Sequence, residues 1–279
     1  MIVSVGGLRV SIRDPGKEGF LGDRAAFAQV FFAGEYDFLL ARMSPGDIVL
    51  DAGANIGCFT LRASRRVGPR GVVIAVEPEP SNVACLTANI RLNRITNVIV
   101  VGKALDAVPD RAVNLVGTGT TAHVDEIGIT SHVSDPTAGT ARTVVRTMTL
   151  DDVLVELVLD RLDVIKMDIE GSENSIFATA STSSVLAAAK AVAVEVHDRE
   201  GSRLVQNRLR ADGYSYVSQP KSESAFLLSS IRRAAGRPDL VLKLYGIEAA
   251  SVVTRMVLRV VRKQPEKVAH LLAMVYASR

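Results

Sequence analysis

The chain has little that would staple, anchor or address it. Two cysteines, Cys58 and Cys85, are too few for a disulfide framework and lack metal-site spacing. Both fall in expected helices and read as buried thiols. No apolar run approaches the ~20 residues that cross a bilayer as a helix. The start, Met1-Ile2-Val3-Ser4-Val5-Gly6-Gly7, has no basic region before an apolar stretch, so no signal peptide is expected. Net charge is only +3, which gives no overall argument for nucleic acid. Sustained heptads and long repeats are missing as well. These absences point to a cytoplasmic globular protein. Its 279 residues, 48% of them hydrophobic, suffice for one large α/β domain, with or without a small appendage.

What is present is organised around Asp47-Ile48-Val49-Leu50-Asp51-Ala52-Gly53-Ala54-Asn55-Ile56-Gly57. Ile48 to Leu50 suits a strand buried on both faces. Two glycines follow, and Cys58 to Val67 reads as a helix. Strand, glycine turn and helix together bind nucleotide-like ligands, because glycines let the backbone come close and the helix start offers free N–H groups. A dinucleotide site needs Gly-x-Gly-x-x-Gly. Here the spacing is Asp-x-Gly-x-x-x-Gly, and Asp51 would repel a pyrophosphate. It suits an ammonium-bearing ligand such as the methionine end of S-adenosylmethionine. The bland alternative is a turn that merely closes a strand–helix unit.

Met1 to Arg13 alternates around Gly6-Gly7 and reads as a hairpin. A helix is expected from Arg24 to Met43, with Gly34 as a point where it splits. Val72 to Val76 is a second buried strand. It ends at Glu77, the position at which an acid takes ribose hydroxyls in such folds; Pro78 makes the strand end sharp. Ser81 is expected to cap a helix to about Leu92, and Asn97 to Val101 to form a third strand. Residues 107–143 are polar and too long for an idle connection; Gly117 to His132 is the expected acceptor lid. Thr149 should cap the next helix. Asp163 to Glu173 holds a buried strand with Lys166 and Asp168 on one face, opening into Glu170-Gly171. Ala191 to Val196 ends with Glu195 and His197 on one face. In a parallel sheet, Asp51, Glu77, Asp168, Glu170, Glu195 and His197 gather at one edge. Strands at Tyr214–Val217 and Ala225–Leu228 should finish the sheet.

The segment from Ile231 differs, with ten Lys or Arg against three acids. Val252, Val253, Met256, Val257, Val260 and Val261 form a helical stripe opposite Arg255, Arg259, Arg262 and Lys263. A helix packed on the domain with a solvated basic face is the bland reading. An anionic membrane surface, nucleic acid or a partner subunit are the alternatives.

Taken together, these residues resemble an FkbM-type methyltransferase, a branch of the class I S-adenosylmethionine-dependent enzymes. The resemblance rests on Asp51 to Gly57; Glu77-Pro78-Glu79-Pro80-Ser81-Asn82 with Leu86, Asn89 and Leu92-Asn93; Lys103-Ala104-Leu105; Thr149-Leu150-Asp151-Asp152; Lys166-Met167-Asp168-Ile169-Glu170-Gly171-Ser172-Glu173; and Glu195-Val196-His197. It runs roughly from Asp47 to Asp198, with weaker similarity from Tyr36-Asp37. The first motif marks many methyltransferases, whereas Lys-x-Asp-x-Glu-Gly-x-Glu points to this family. It implies a Rossmann-like α/β fold: a seven-stranded, mostly parallel sheet with helices on both faces. Residues 47–230 would form the S-adenosylmethionine-binding domain. Residues 1–46 would pack on it as hairpin and helix, and 231–279 would add a basic helical extension that departs from the family.

The expected chemistry follows. S-adenosylmethionine is the expected cofactor. Asp51 would set its methionine end, Gly53 and Gly57 would allow its close approach, Asn55 would add a polar contact, Glu77 would hold its ribose with Pro78 beside it in the cofactor site, and Lys103 and Ala104 would lie by its adenine. Asp168, Glu170 and His197 are candidates for the base that takes an acceptor's proton. Lys166 would pair with Asp168 or lower a hydroxyl's pKa. A divalent metal on Asp168, Glu195 and His197 is an alternative, and no metal ligand is assigned. The favoured reaction is O-methylation of a sugar, glycan or other small molecule. The rivals are an RNA methyltransferase using the basic extension, and a non-catalytic protein with the same fold.

Overall fold

Gly6 and Gly7, both at positive φ, turn the chain back on itself, so that β1 (Ile2–Val5) pairs antiparallel with β2 (Leu8–Ser11). A computed structural model of the chain describes residues 1–13, 22–116, 123–125, 142–179, 182–196, 199–218 and 273–278. The expected long helix is broken: α1 (Gly22–Ala28) widens into a π-helical turn (Gln29–Ala33), which ends at Gly34 in the left-handed region (φ 63°), before α2 (Asp37–Arg42). A left-handed residue at a helix C-terminus cannot propagate the helix.

Strand and helix then alternate: β3 (Ile48–Ala52), α3 (Cys58–Val67), β4 (Val72–Val76), α4 (Pro80–Leu92) and β5 (Val98–Val101). The cap of α4 differs from expectation. Glu79, two residues before Ser81, accepts from the backbone N–H groups of Ser81 (3.1 Å) and Asn82 (2.7 Å). A carboxylate satisfies two orphan donors there and complements the helix dipole.

Four short strands follow as a separate small sheet in the order β6-β9-β7-β8: β6 (Ala104–Leu105), β7 (Ala112–Val116), β8 (His123–Asp125) and β9 (Arg142–Met148). Apart from β8, the expected lid at Gly117–His132 lies outside the described residues. Thr149 caps α5 (Leu150–Glu156) as expected, in a reciprocal capping box with Asp152. The chain continues through β10 (Val164–Met167), α6 (Glu173–Ala178), α7 (Thr182–Ala188), β11 (Ala191–Val196), α8 (Arg199–Ala211), β12 (Ser215–Ser218) and β13 (Ala273–Ser278).

The main sheet has a parallel core in the order β11-β10-β3-β4-β5. β13 joins antiparallel to β11, and β12 antiparallel to β13. This corrects the expectation of a helical C-terminal extension at its far end: residues 273–278 form a strand between β11 and β12. The strand expected at Ala225–Leu228, and the rest of the extension, lie outside the described residues.

Both faces of the sheet are buried, and the period of two assigns them. Val49, Val73, Ala75, Val164, Ala191 and Ala193 face a core made with α1, α2 and α3, including Phe27, Tyr36, Leu39 and Met43. Leu50, Ala52, Ile74, Val76, Ile165, Met167, Val192 and Val194 face the opposite core. Burying Phe27, Leu39 or Met43 contributes about 1.5–3 kcal/mol each. Arg62 ties α3 to the N-terminal helices by donating to Val30 O (2.8 Å) and Asp37 (2.9 Å).

Candidate active site

Three residues in the left-handed region shape the elbow after β3: Gly53 (φ 75°), Asn55 (φ 51°) and Gly57 (φ 90°). The glycines serve different ends. A Cβ on Gly53 would fall 1.7 Å from the carbonyl oxygen of Asp168, so its bare backbone lets the loop after β10 cross the elbow. A Cβ on Gly57 would fall 2.5 Å from Leu86 Cδ1, so Gly57 allows α3 and α4 to pack. Gly57 does not line the cleft, against expectation; Gly53 and Asn55 do.

A cleft open to solvent lies at the C-terminal ends of β3, β4 and β10. In an open parallel sheet that is where ligands bind. Glu77, Pro78 and Asn82 form one wall; Ala104, Leu105 and Leu115 form an apolar one; Tyr36, Lys166, Asp168 and Glu170 form a third.

Glu77 is held by three donors. Its Oε2 accepts from Asn55 N (2.7 Å), and its Oε1 from Glu79 N (3.0 Å) and Asn82 Nδ2 (3.1 Å). Burial raises its pKa, and these bonds oppose the rise.

Lys166 stands at the centre of the third wall. It donates to Gly53 O (2.7 Å) and lies 3.4 Å from both Asp51 Oδ1 and Asp168 Oδ2. The register explains this, because Lys166 pairs with Asp51 across β10 and β3. Burial pushes the lysine's pKa down, but Asp168, Asp51 and Glu195 outweigh it, and the net shift is upward. Lys166 therefore remains an ammonium. Tyr36 donates its hydroxyl to Asp168 Oδ2 (3.2 Å) and stacks edge-on with Phe59. Burial, reinforced by Asp168, lifts the phenol's pKa well above its ordinary value, so it stays a neutral donor. Its role was not read from the sequence. The weak resemblance at Tyr36-Asp37 was the only signal, since the contact joins residues far apart in the chain.

Asp51 departs from its expected place. Its side chain is fully buried and does not line the cleft. Oδ2 accepts from Thr60 Oγ1 (2.5 Å), while Oδ1 makes no hydrogen bond and faces Lys166. The carboxylate thus lies behind Lys166, and its link to the cleft runs through that ammonium. Lys103 departs too: its ammonium is paired with Glu156 (2.6 Å), away from the cleft, although its neighbour Ala104 lines it. Glu195 lies behind the wall, where burial pushes its carboxyl up to about 9, Asp168 and Glu35 adding to the shift and Lys166 opposing it. His197 lies outside the described residues. Among the described residues no group of three or more His, Cys, Asp or Glu is arranged to hold a metal ion.

A family model, the methyltransferase FkbM domain, matches residues 51–226. The chain belongs to the FkbM methyltransferase family. It is 28% identical over 222 residues to the 31-O-demethyl-FK506 methyltransferase FkbM of Streptomyces tacrolimicus, covering 70% of this chain and 82% of that protein. Among solved structures it is similar to an rRNA methylase from Streptococcus thermophilus (10% identity, 88% of this chain and 94% of that one, TM-score 0.44). It is also similar to an S-adenosylmethionine-dependent O-methyltransferase from Thermotoga maritima (12% identity, 88% and 64%, TM-score 0.41).

As an FkbM-family methyltransferase, the chain takes S-adenosylmethionine as its cofactor. The residues present fit that molecule. Glu77 keeps a lone pair on Oε2 for a ribose hydroxyl, the Ala104, Leu105 and Leu115 wall suits an adenine, and the carboxylate of Glu170 suits a cationic ligand.

Proposed function

We propose that this FkbM-family enzyme methylates a hydroxyl oxygen on a sugar, glycan or other small molecule, with Asp168 as the proton acceptor. The cofactor supplies an activated methyl group when bound, so the chain's own work is to orient two reactants and take one proton.

The observation that carries this reading is the state of the groups around the cleft. Lys166 stays charged, the Tyr36 phenol and the Cys58 thiol are driven upward by burial, and Glu195 holds its proton near neutrality. Of the carboxylates that line the cleft among the described residues, Glu77 is held by three donors, which leaves Asp168 and Glu170 to accept a proton. The Asp168 side chain is 20% exposed within an otherwise buried cluster. Both its contacts, from Tyr36 and Lys166, are made by Oδ2, which leaves Oδ1 for the acceptor hydroxyl. Glu170, exposed at the cleft, would receive a further hydroxyl hydrogen bond. The relative from Streptomyces tacrolimicus, whose name places its methyl group on an oxygen, supports the same reaction type.

The proposed partner is a small-molecule or glycan acceptor, and the proposed setting is the cytoplasm. Among the described residues no helix is long and apolar enough to cross a membrane. A methyl-label assay on extract fractions separated into glycans, lipids, RNA and small metabolites tests the proposal. Label in the glycan or metabolite fraction is expected; label on RNA alone would overturn it.

A further inference from the structure

The N-terminal hairpin precedes the part of the chain that the family model matches, 51–226, yet it is hydrogen-bonded into the donor site. Asn89 on α4 and Asn93 at its C-cap clasp the backbone of β2. Asn93 accepts from Arg9 N (2.8 Å) and donates to Arg9 O (2.6 Å). Asn89 accepts from Ser11 N (2.6 Å) and donates to Ser11 O (3.2 Å). Each amide thereby imitates a neighbouring strand. The clasp lays β2 along α4 and brings the next residue of that alternation, Arg13, to the start of the helix.

There the guanidinium of Arg13 is fixed. Asp23 accepts from its Nη2 (2.6 Å) and Nε (2.9 Å), and Ser81 Oγ accepts from its Nη1 (2.7 Å). Nη2 also donates to Asn82 Oδ1 (2.6 Å). An arginine has donors only, so it decides which end of the Asn82 amide faces it. The other end, the NH2 group, must then point at Glu77, where it donates to Oε1 at 3.1 Å.

We infer that Arg13 is a positioning residue of the donor site: by fixing the Asn82 amide it sets an N–H donor against Glu77 and so orients the carboxylate that takes the ribose hydroxyls. This rests on the assignment of Glu77 to the ribose. The hairpin is thus a working part of the cofactor site as well as a cover for the core.

Calorimetry with S-adenosylhomocysteine and its 2′,3′-dideoxy analogue separates the possibilities, because the ratio of the two affinities reports the diol contact. Arg13→Met is expected to lower that ratio about tenfold, the loss of one charge-assisted link. Ser81→Ala, which touches the same guanidinium but not Glu77, should leave the ratio unchanged. Asn82→Asp keeps the tie to Arg13 but turns an oxygen toward Glu77; it should lower the ratio as Arg13→Met does, and it serves where Arg13→Met fails to fold. In a Glu77→Gln background Arg13→Met should have no further effect on the ratio. If Arg13→Met or Asn82→Asp weakens both ligands equally, the relay is wrong and the hairpin is only structural. If Glu77→Gln keeps the full ratio, the ribose assignment itself fails, whatever the other variants do.

Discussion

Lys166 and Asp168, two residues apart on one face of the sheet, hold ammonium and carboxylate 3.4 Å apart. The same ammonium stands 3.4 Å from Asp51 on the adjacent strand. One cation thus serves two carboxylates, one at the cleft and one sealed beneath it. This makes Lys166 the electrostatic link between the core and the reacting groups, and it bears first on stability.

Replacing Lys166 by Met removes the charge and keeps most of the volume. Breaking a buried pair from one side costs about 3–5 kcal/mol, because the partners are left uncompensated. Urea denaturation of Lys166→Met should show a loss of that size. The double variant Lys166→Met/Asp51→Leu should recover part of it, since the deepest stranded carboxylate is then gone. An unchanged midpoint for Lys166→Met would contradict the pairing.

Asp168→Asn keeps the shape and loses the proton acceptor. We expect kcat to fall about 10²–10⁴-fold, with S-adenosylhomocysteine affinity changed by no more than about threefold, measured by single-turnover label transfer and calorimetry. Tyr36→Phe, which removes only the hydrogen bond to Oδ2, should reduce kcat less than Asp168→Asn. Full activity in Asp168→Asn would pass the role to Glu170 or to His197.

Glu195 predicts an alkaline loss of stability. Its carboxyl is raised from 4.5 to about 9 in the folded chain, so the folded state holds a proton that the unfolded chain has released. Between those values stability falls as pH rises, by at most about 1.4 kcal/mol per unit from this group, and it levels off above the folded value. Glu195→Gln should flatten the profile from pH 5 to 9 and be the more stable protein at the alkaline end. Parallel profiles for the two proteins would refute the shift.

The two elbow glycines should respond unequally to alanine. At Gly57 the added Cβ meets the end of the Leu86 side chain, which can turn aside, so the cost is mainly the left-handed backbone, about 1–2 kcal/mol. At Gly53 it meets the Asp168 carbonyl at 1.7 Å, and backbone must move. Gly53→Ala should therefore be the more destabilising in thermal melts, and should disturb activity beyond its effect on stability because it shifts the loop carrying Asp168.

The parallel core was legible because buried strands are written as short apolar runs. Ile48–Ala52, Val72–Val76, Val164–Met167 and Ala191–Val196 all stand where those runs place them. That Glu77, Asp168 and Glu170 meet at one cleft was legible for the same reason, as was the family, through Lys166 to Glu173. β13 was not: a strand seated between β11 and β12 is chosen by partners far away in the chain, whereas the helical reading of the whole extension came from a stripe at Val252–Val261, outside the described residues.

Within the site, sequence alone determined which side chains share a face, since a strand's period of two leaves no freedom there. Asp51, Glu77, Lys166, Asp168 and Glu195 follow that rule. Only the tertiary structure decided what each one meets. The N-terminal helices bring Tyr36 to Asp168, Thr60 and Lys166 enclose Asp51, Glu156 draws Lys103 aside, and Arg13 reaches Glu77 through Asn82. The reason is physical: backbone alternation is local, but whether a carboxylate faces solvent, a cation or another chain segment depends on what packs over it from a distance.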